Sequence, residues 1–189
     1  NWIINVDVDE YIVTKKNIKK TIREEILSSF NSFDCIKIPW VMMSSNNRKK
    51  NPKNLLEENI YRWNHNLRHF SHEFKFRCRY REIECKTIFK PSVFNDIDDH
   101  MPLIANIESP LYTESINIKP TDSTMFYQGL REKDIKNGYL LCYHYRIISE
   151  ENNLEKLTNN IWYVGRKYTL SDLNDSDYAE VRDFTMASK

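Results

Sequence analysis

The sequence predicts an α/β domain whose mixed sheet is flanked by helices. Two apolar runs rich in β-branched and aromatic residues, at positions 2–6 and 139–148, have the composition of buried strands. Between them, residues 17–30 carry apolar side chains at the spacing of an amphipathic helix. An order of strand, helix and strand, followed by irregular strands and late helices, is typical of this class.

The remaining elements follow from local patterns in the same way. Alternation predicts a strand, clustered Asn, Ser and Pro predict a turn-rich loop, and a serine before an apolar period predicts a helix start. The predicted elements are a strand at 35–41, a polar loop at 44–54, segments ambiguous between strand and helix at 55–63 and 74–80, a strand at 84–94 closed by Pro91, an irregular region at 95–122, a helix at 150–160 capped by Ser149, and a short helix within 172–188.

Composition excludes several classes of function. The formal net charge of +1 argues against an electrostatic binder of nucleic acid, and three glycines in 189 residues argue against a Gly-rich nucleotide loop. No apolar run approaches the roughly 18 residues of a membrane helix. A chain of this length suits a single domain over residues 1–189. No targeting signal is visible, so the sequence is compatible with a location in the lumen of the secretory pathway or in the cytoplasm.

The four cysteines do not form a zinc-binding pattern. Cys35, Cys78, Cys85 and Cys142 contain no CxxC pair. Cys78 and Cys85 are close enough in sequence for a disulfide in an oxidising compartment. The alternative is four reduced, partly buried thiols.

Acidic residues follow the first predicted strand. Asp7 and Asp9 are two positions apart, directly after the apolar run. Open α/β sheets bind ligands at the carboxyl ends of their strands, and paired carboxylates suit a hard cation such as Mg²⁺ or Mn²⁺, which in turn binds phosphates. The alternative is a surface loop with helix-capping acids next to Asn17.

A second chemistry also places a DxD motif after a strand. Phosphatases of the haloacid-dehalogenase type use the first Asp as a nucleophile, and they usually carry Thr or Val two positions after the second Asp. Here that position is Tyr11, and Lys86 or Lys90 with the acidic pair at 98–99 fits the downstream spacing poorly.

Six blocks in order resemble the metal-dependent, GT-A-type glycosyltransferases of the family 2-like and family 92 (formerly domain of unknown function 23) group. The similar blocks are "WIINVDVDEYIV", "IPWVMMSSNN", "NLLEENIYRW", "CKTIFKPSVF" with "DDHMP", "YHYRIISEENNLEKL" and "VGRKYTLSDLNDSDYAEVRD". The resemblance implies a GT-A-like, Rossmann-like fold. In that family the chain continues upstream of the DxD strand, so this chain is expected to be the C-terminal part of the fold.

The resemblance implies a metal site. Asp7 and Asp9 form its DxD motif, which would hold Mn²⁺ or Mg²⁺ against the diphosphate of the donor. A late histidine commonly completes such a site. His144 in "YHYR" is the first candidate, and His100 in "DDHMP" is the second.

It also implies roles for other residues. The expected donor diphosphate contacts are Lys86, Lys90 and Arg146, since cations offset the charge of the leaving group. A carboxylate must deprotonate the acceptor if the reaction inverts the anomeric centre. The candidates for that base are Glu57, Glu58, Asp98 and Asp99, with Glu57 and Asp99 preferred, while Glu10 and Trp40 are candidate contacts to a sugar or acceptor.

The expected activity is transfer of a sugar from a nucleotide-sugar donor, expected to be UDP-linked, to a hydroxyl of a glycan or glycoprotein. Two other readings stay open. One is a non-catalytic relative that binds glycans or proteins, and the other is the phosphatase.

Overall fold

A computed structural model describes residues 1–67, 82–92, 94, 96–97, 100, 102–103, 127–129 and 131–189. The fold is α/β with a mixed sheet, as the sequence predicts. The strands are β1 (Ile3–Ile4), β2 (Glu10–Thr14), β3 (Cys35–Ser44), β4 (Tyr61–Arg62), β5 (Glu82–Phe89), β6 (Asp96–Ile97), β7 (Pro102–Leu103), β8 (Tyr127–Gly129), β9 (Leu140–His144) and β10 (Val181–Arg182). The helices are α1 (Ile22–Ser29), α2 (Leu55–Glu58), α3 (Glu132–Asn137), α4 (Glu150–Asn159), α5 (Ile161–Gly165) and α6 (Leu170–Asn174).

The chain divides into two compact units, one of residues 1–41 and 65–143, the other of residues 42–64 and 144–189. In the first unit, β5 pairs antiparallel with β3 in a register that places Lys37 opposite Thr87 and Pro39 opposite Cys85. β1 and β8 also pair with β5, while β9 lies between β3 and β2. The segment between β1 and β2 therefore joins two strands that do not pair with each other. That segment carries the acidic residues of the DxD motif.

In the second unit, the end of β3 pairs antiparallel with β4, which pairs with β10. A buried ion pair supports this ladder, since Nε of Arg62 donates to Oδ2 of Asp183 at 2.8 Å. The loop after β3 leads to α2. Residues 144–189 then add α4, α5 and α6 to this unit.

The core strand β3 is longer than the sequence predicts. All ten of its residues are buried, and it continues through Trp40 to Ser44. The predicted strand at 84–94 is found as β5, and Pro91 follows its end. Both predicted strands are therefore confirmed.

The first strand was predicted to be buried, and that is wrong. Only Ile3–Ile4 is extended, and Ile3 and Val6 are each more than 40% exposed. β1 has β5 as its one partner among the described residues. A strand with a single neighbour leaves apolar side chains in contact with solvent.

The helix predicted at 17–30 begins at Ile22 instead. Thr21 is its N-cap and forms a capping box with Glu24, whose carboxylate accepts from the Thr21 backbone N–H at 2.8 Å. This box fixes the start of the helix because it satisfies backbone donors that no helical carbonyl reaches. Ile26 in α1 and Phe30 at its C-cap are buried, as their spacing predicts, whereas Ile18, Ile22 and Leu27 are exposed.

Near the C-terminus the prediction is partly wrong. The short helix ends earlier than expected, as α6 at Asn174, and residues 181–182 form strand β10. The cap of α4 is confirmed, since Oγ of Ser149 accepts from the backbone N–H of Asn152 at 3.0 Å.

Candidate functional site

Residues 7–10, the acidic turn after β1, contact Lys86 of β5. Oδ2 of Asp7 lies 3.1 Å from Nζ of Lys86, and Oε2 of Glu10 lies 3.3 Å from the same nitrogen. The turn is fixed by its own backbone, because Asp7 N–H donates to the Glu10 carboxylate at 2.8 Å and Glu10 N–H donates to the Asp7 carbonyl at 3.1 Å. Two carboxylates and one ammonium are therefore held together by contacts between residues far apart in sequence.

Burial strengthens the attraction between Lys86 and the two carboxylates, because solvent screens these charges less. The side chains of Lys86 and Glu10 are 1% and 0% exposed, whereas that of Asp7 is 62% exposed. Desolvation favours the neutral amine of Lys86, but the charges of Glu10 and Asp7 outweigh it and raise the pKa of this lysine. Lys86 is a fixed cation below the turn, and Asp7 presents its carboxylate to solvent above it.

Cys142 of β9 is near enough to the same cluster to be affected by its charges. Burial raises the pKa of its thiol well above the usual value, and the negative charges of Glu10 and Asp9 act in the same direction. The thiol therefore stays protonated at neutral pH. Asp9, half-buried at the end of the turn, is close enough to contribute to this field.

His100 and Trp40 come together in the first unit. Their rings meet edge to face with centroids 5.3 Å apart. The backbone carbonyl of His100 accepts from Oγ of Thr87 at 2.9 Å, and its Nδ1 lies 3.3 Å from the Cys85 carbonyl oxygen. A carbonyl only accepts, so that contact places the proton on Nδ1. Trp40 is buried, so its ring serves packing rather than an exposed sugar platform.

The other predicted cations contact different partners. Nζ of Lys90 lies 3.3 Å from Oδ1 of Asp34 and 3.2 Å from the Asn31 carbonyl. In the second unit, Nε of Arg146 lies 3.2 Å from the Tyr163 hydroxyl, and its guanidinium covers the Trp162 ring at 5.2 Å. Of the three predicted diphosphate contacts, Lys86 is the one found against the DxD motif, through Asp7.

The remaining candidates are dispersed. His144 ends β9 as a buried residue of the second unit, to which Glu57 also belongs. Glu57 is exposed on α2, and its neighbour Glu58 pairs with Arg48 at 2.8 Å. Asp98 and Asp99 lie outside the described residues, as do Cys78 and the segment 74–80. Cys35, Cys85 and Cys142 are free, buried thiols, so the predicted alternative of a Cys78–Cys85 disulfide is wrong.

The donor atoms of the turn suit a hard divalent cation. Carboxylate oxygens are the ligands that Mg²⁺ and Mn²⁺ prefer, and the exposed carboxylate of Asp7 is accessible from solvent. Among the described residues there is no group of three or more His, Cys, Asp or Glu side chains arranged to hold a metal. A metal at this turn would therefore complete its coordination with phosphate or water oxygens, as Mg²⁺ usually does.

A second polar site, which the sequence did not predict, lies at the loop after β3. The Asp177 carboxylate accepts from the backbone N–H of Ser45 at 3.0 Å and from that of Asn47 at 3.4 Å, and it also bonds the Ser45 hydroxyl. Asn46 and Asn47 both have positive φ, 53° and 58°. Two consecutive asparagines were the available signal, because Asn tolerates the left-handed conformation better than most residues.

No model of a known protein family matches the sequence, and neither a curated protein nor a solved structure matches it significantly. Within the described ranges, none of the helices combines the length and apolar character that crossing a lipid bilayer requires.

Proposed function

We propose that this protein is a metal-dependent glycosyltransferase that moves a sugar from a nucleotide-sugar donor, with UDP as the expected nucleotide, to a hydroxyl of a glycan or glycoprotein. The observation that carries the proposal is the acidic turn held over buried Lys86. It places carboxylates and a fixed cation at the exit of a strand, where α/β folds bind phosphorylated ligands.

The acidic and basic residues of the turn have different proposed roles. Asp7 and Asp9 are the residues that would hold Mn²⁺ or Mg²⁺, and that ion supplies charge stabilisation for the departing nucleoside diphosphate. Lys86 adds a positive charge that stays on at neutral pH, because Glu10 and Asp7 raise its pKa. Glu10 holds Lys86 in place, which makes it a positioning residue rather than a contact to sugar.

Two histidines remain candidates for a further ligand. In the neutral imidazole of His100, the contact with the Cys85 carbonyl places the proton on Nδ1 and leaves Nε2 free of a proton, the form in which imidazole binds metals. His144 fits the expected motif order and is buried at the end of β9. Replacing each by alanine, one at a time, and measuring the shift in Tm with Mn²⁺ and UDP decides between them.

The test is ligand-induced stabilisation. Mn²⁺ with UDP is expected to raise the Tm of this chain, because a ligand that binds the folded state alone stabilises it. Asp9→Asn is expected to abolish the shift, since the amide keeps the shape and removes the charge. Asp175→Asn, on the exposed end of α6, is the matched control and should keep the full shift.

Other results would contradict the proposal. Absence of a shift with every nucleoside diphosphate, at metal concentrations on the order of 10 mM, would exclude donor binding. Hydrolysis of a phosphomonoester that disappears in Asp7→Asn would instead identify the phosphatase.

A second candidate is a non-catalytic glycan-binding or protein-binding domain of the same fold. Lys86 favours it, because its ammonium already neutralises part of the charge of Asp7 and Glu10. This candidate predicts glycan binding that needs no divalent ion and is unchanged by Asp9→Asn.

A further inference from the structure

The segment that joins β2 to α1 is strongly basic. Positions 15–23, called the basic segment below, contain no acidic residue and five cations, which are Lys15, Lys16, Lys19, Lys20 and Arg23. The whole chain has a formal net charge of only +1. The basic segment is therefore a local concentration of positive charge and not a consequence of overall composition.

Backbone hydrogen bonds hold the basic segment in place. Lys15 N–H donates to the Tyr139 carbonyl at 2.9 Å, and Lys16 N–H donates to the Gly138 carbonyl at 3.0 Å. These contacts lie within the first unit and place the segment beside the end of α3. The last turn of α3 carries Lys136, which is exposed and adds a further positive charge to this surface.

The chain compensates only part of this positive charge. Nζ of Lys20 lies 3.7 Å from Oε1 of Glu25, whose side chain is buried. Lys19 and Arg23 are exposed, and neither has an ion-pair partner among the described residues. Their charges are therefore available to an anion outside the chain.

Apolar side chains are exposed among these cations. Ile18 lies between the two pairs of lysines and is 51% exposed, and Ile22 in the first turn of α1 is 37% exposed. A phosphate chain in water offers an isoleucine no apolar surroundings. The boundary between lipid headgroups and acyl chains accepts cations and apolar side chains together.

We propose that the basic segment binds the surface of a lipid bilayer that contains anionic phospholipids. Lys19 and Arg23 attract the negative headgroups, and Ile18 enters the boundary between headgroups and acyl chains. Each cation near an anionic bilayer surface strengthens attachment about fivefold, and an apolar anchor adds to that effect. Such attachment is reversible and needs no spanning helix.

This inference goes beyond the proposed function and does not depend on it. The acidic turn lies at the start of β2 and the basic segment follows its end, so the strand Glu10–Thr14 separates them. Vesicle binding is measured without metal or nucleotide. A chain that binds vesicles but no nucleotide, or nucleotide but no vesicles, would therefore show which of the two proposals fails.

The experiment is co-sedimentation of the chain with vesicles. Vesicles of phosphatidylcholine alone are compared with vesicles that also contain about 30% phosphatidylserine, which gives the surface negative charge. We expect binding to the mixed vesicles to be at least about tenfold tighter at about 0.1 M salt, and to be lost at about 0.5 M, where charges are screened over a shorter distance. A double-stranded DNA fragment of about 20 base pairs is the comparison polyanion, and we expect it to bind more weakly.

Three variants locate the binding. Lys19→Ala with Arg23→Ala is expected to weaken attachment to the mixed vesicles about twentyfold, since two exposed cations are lost. Ile18→Asn is expected to weaken it about fivefold and to leave DNA binding unchanged. Lys50→Ala with Lys53→Ala is the matched control, because it removes the same charge from exposed lysines of the second unit. Its attachment should equal that of the unmodified chain.

Three outcomes would overturn the proposal. The first is equal binding to the two kinds of vesicle. The second is attachment that the Lys19 and Arg23 substitutions weaken no more than the control does. The third is tighter binding to DNA than to the mixed vesicles, together with no effect of Ile18→Asn, which would identify a surface for nucleic acid instead.

Discussion

Nζ of Lys86 lies 3.3 Å from Oε2 of Glu10, with both side chains closed to solvent. The pair joins β5 to the start of β2. Removing one partner of a buried pair leaves the other charged and without compensation, which costs far more than losing an exposed pair.

Lys86→Met is therefore expected to lower the free energy of unfolding by about 3–5 kcal/mol at pH 7. Because the pKa of Lys86 is raised in the folded state, its contribution is complete below the unfolded-state value of about 10.4 and is lost as the pH rises through the folded-state value. Urea denaturation of both proteins between pH 7 and 11 measures this, and the difference should shrink at the alkaline end. Lys90→Met, at a partly exposed ion pair, is the control and should cost at most about 1 kcal/mol.

For Lys37, we expect substitution to change the free energy of unfolding in the opposite direction. It is 3% exposed in β3, and its ammonium has no hydrogen-bond partner among the described residues. Burial lowers its pKa, against the smaller effects of the Cys85 and Cys35 thiols. Lys37→Met should raise the free energy of unfolding by about 1–3 kcal/mol, since it removes an uncompensated charge and keeps the apolar length.

The pH dependence checks the cause. With a lowered folded-state pKa, the penalty from Lys37 is complete below that value and disappears as the pH approaches the unfolded-state value of about 10.4. The advantage of Lys37→Met should therefore decline with rising pH. An equal stabilisation by Lys53→Met, at an exposed lysine, would show that charge burial is not the reason.

Asn46 tests the backbone of the loop after β3. Its φ is 53°, and its N–H donates to Oγ of Ser44 at 2.9 Å. Asn46→Val is expected to lower the free energy of unfolding by about 1–2 kcal/mol, because a β-branched residue is strained in the left-handed region. Asn46→Gly should stay within about 0.5 kcal/mol of the unmodified chain. Thermal unfolding separates the two, and equal losses would contradict the backbone explanation.

The buried thiols are expected to be unreactive in the folded chain. Burial raises the pKa of Cys35 to about 12, and it also raises the pKa values of Cys85 and Cys142. Only the thiolate attacks a thiol reagent, so a Cys78→Ser variant should react at pH 8 no faster than it unfolds. Rapid modification of one thiol without denaturant would show that a described cysteine is accessible.

Local sequence patterns predicted the central elements. The alternation of Ile36 and Ile38 with Lys37 indicated β3, and the serine at position 149 indicated the start of α4. These signals act over a few residues, so they can be read without the fold.

The contacts within the sites could not be predicted in that way. The Lys86–Asp7 pair joins residues 79 positions apart, and Ser45 and Asp177 are 132 positions apart. Charged side chains carry no periodicity that names a partner at such a distance. The sequence showed which groups could bind a cation, but not that a lysine of the chain already contacts one of them, Asp7, together with the neighbouring Glu10.

The first turn of α4 depends on a loop far upstream. Glu150 N–H donates to the Arg48 carbonyl at 2.8 Å, and Glu151 N–H donates to the Lys49 carbonyl at 3.1 Å. These two hydrogen bonds, unlike the local Ser149 cap, form only after a long chain closure, which belongs to the slow part of folding. Deuterium uptake at these two amides therefore reports opening of the loop rather than fraying of the helix.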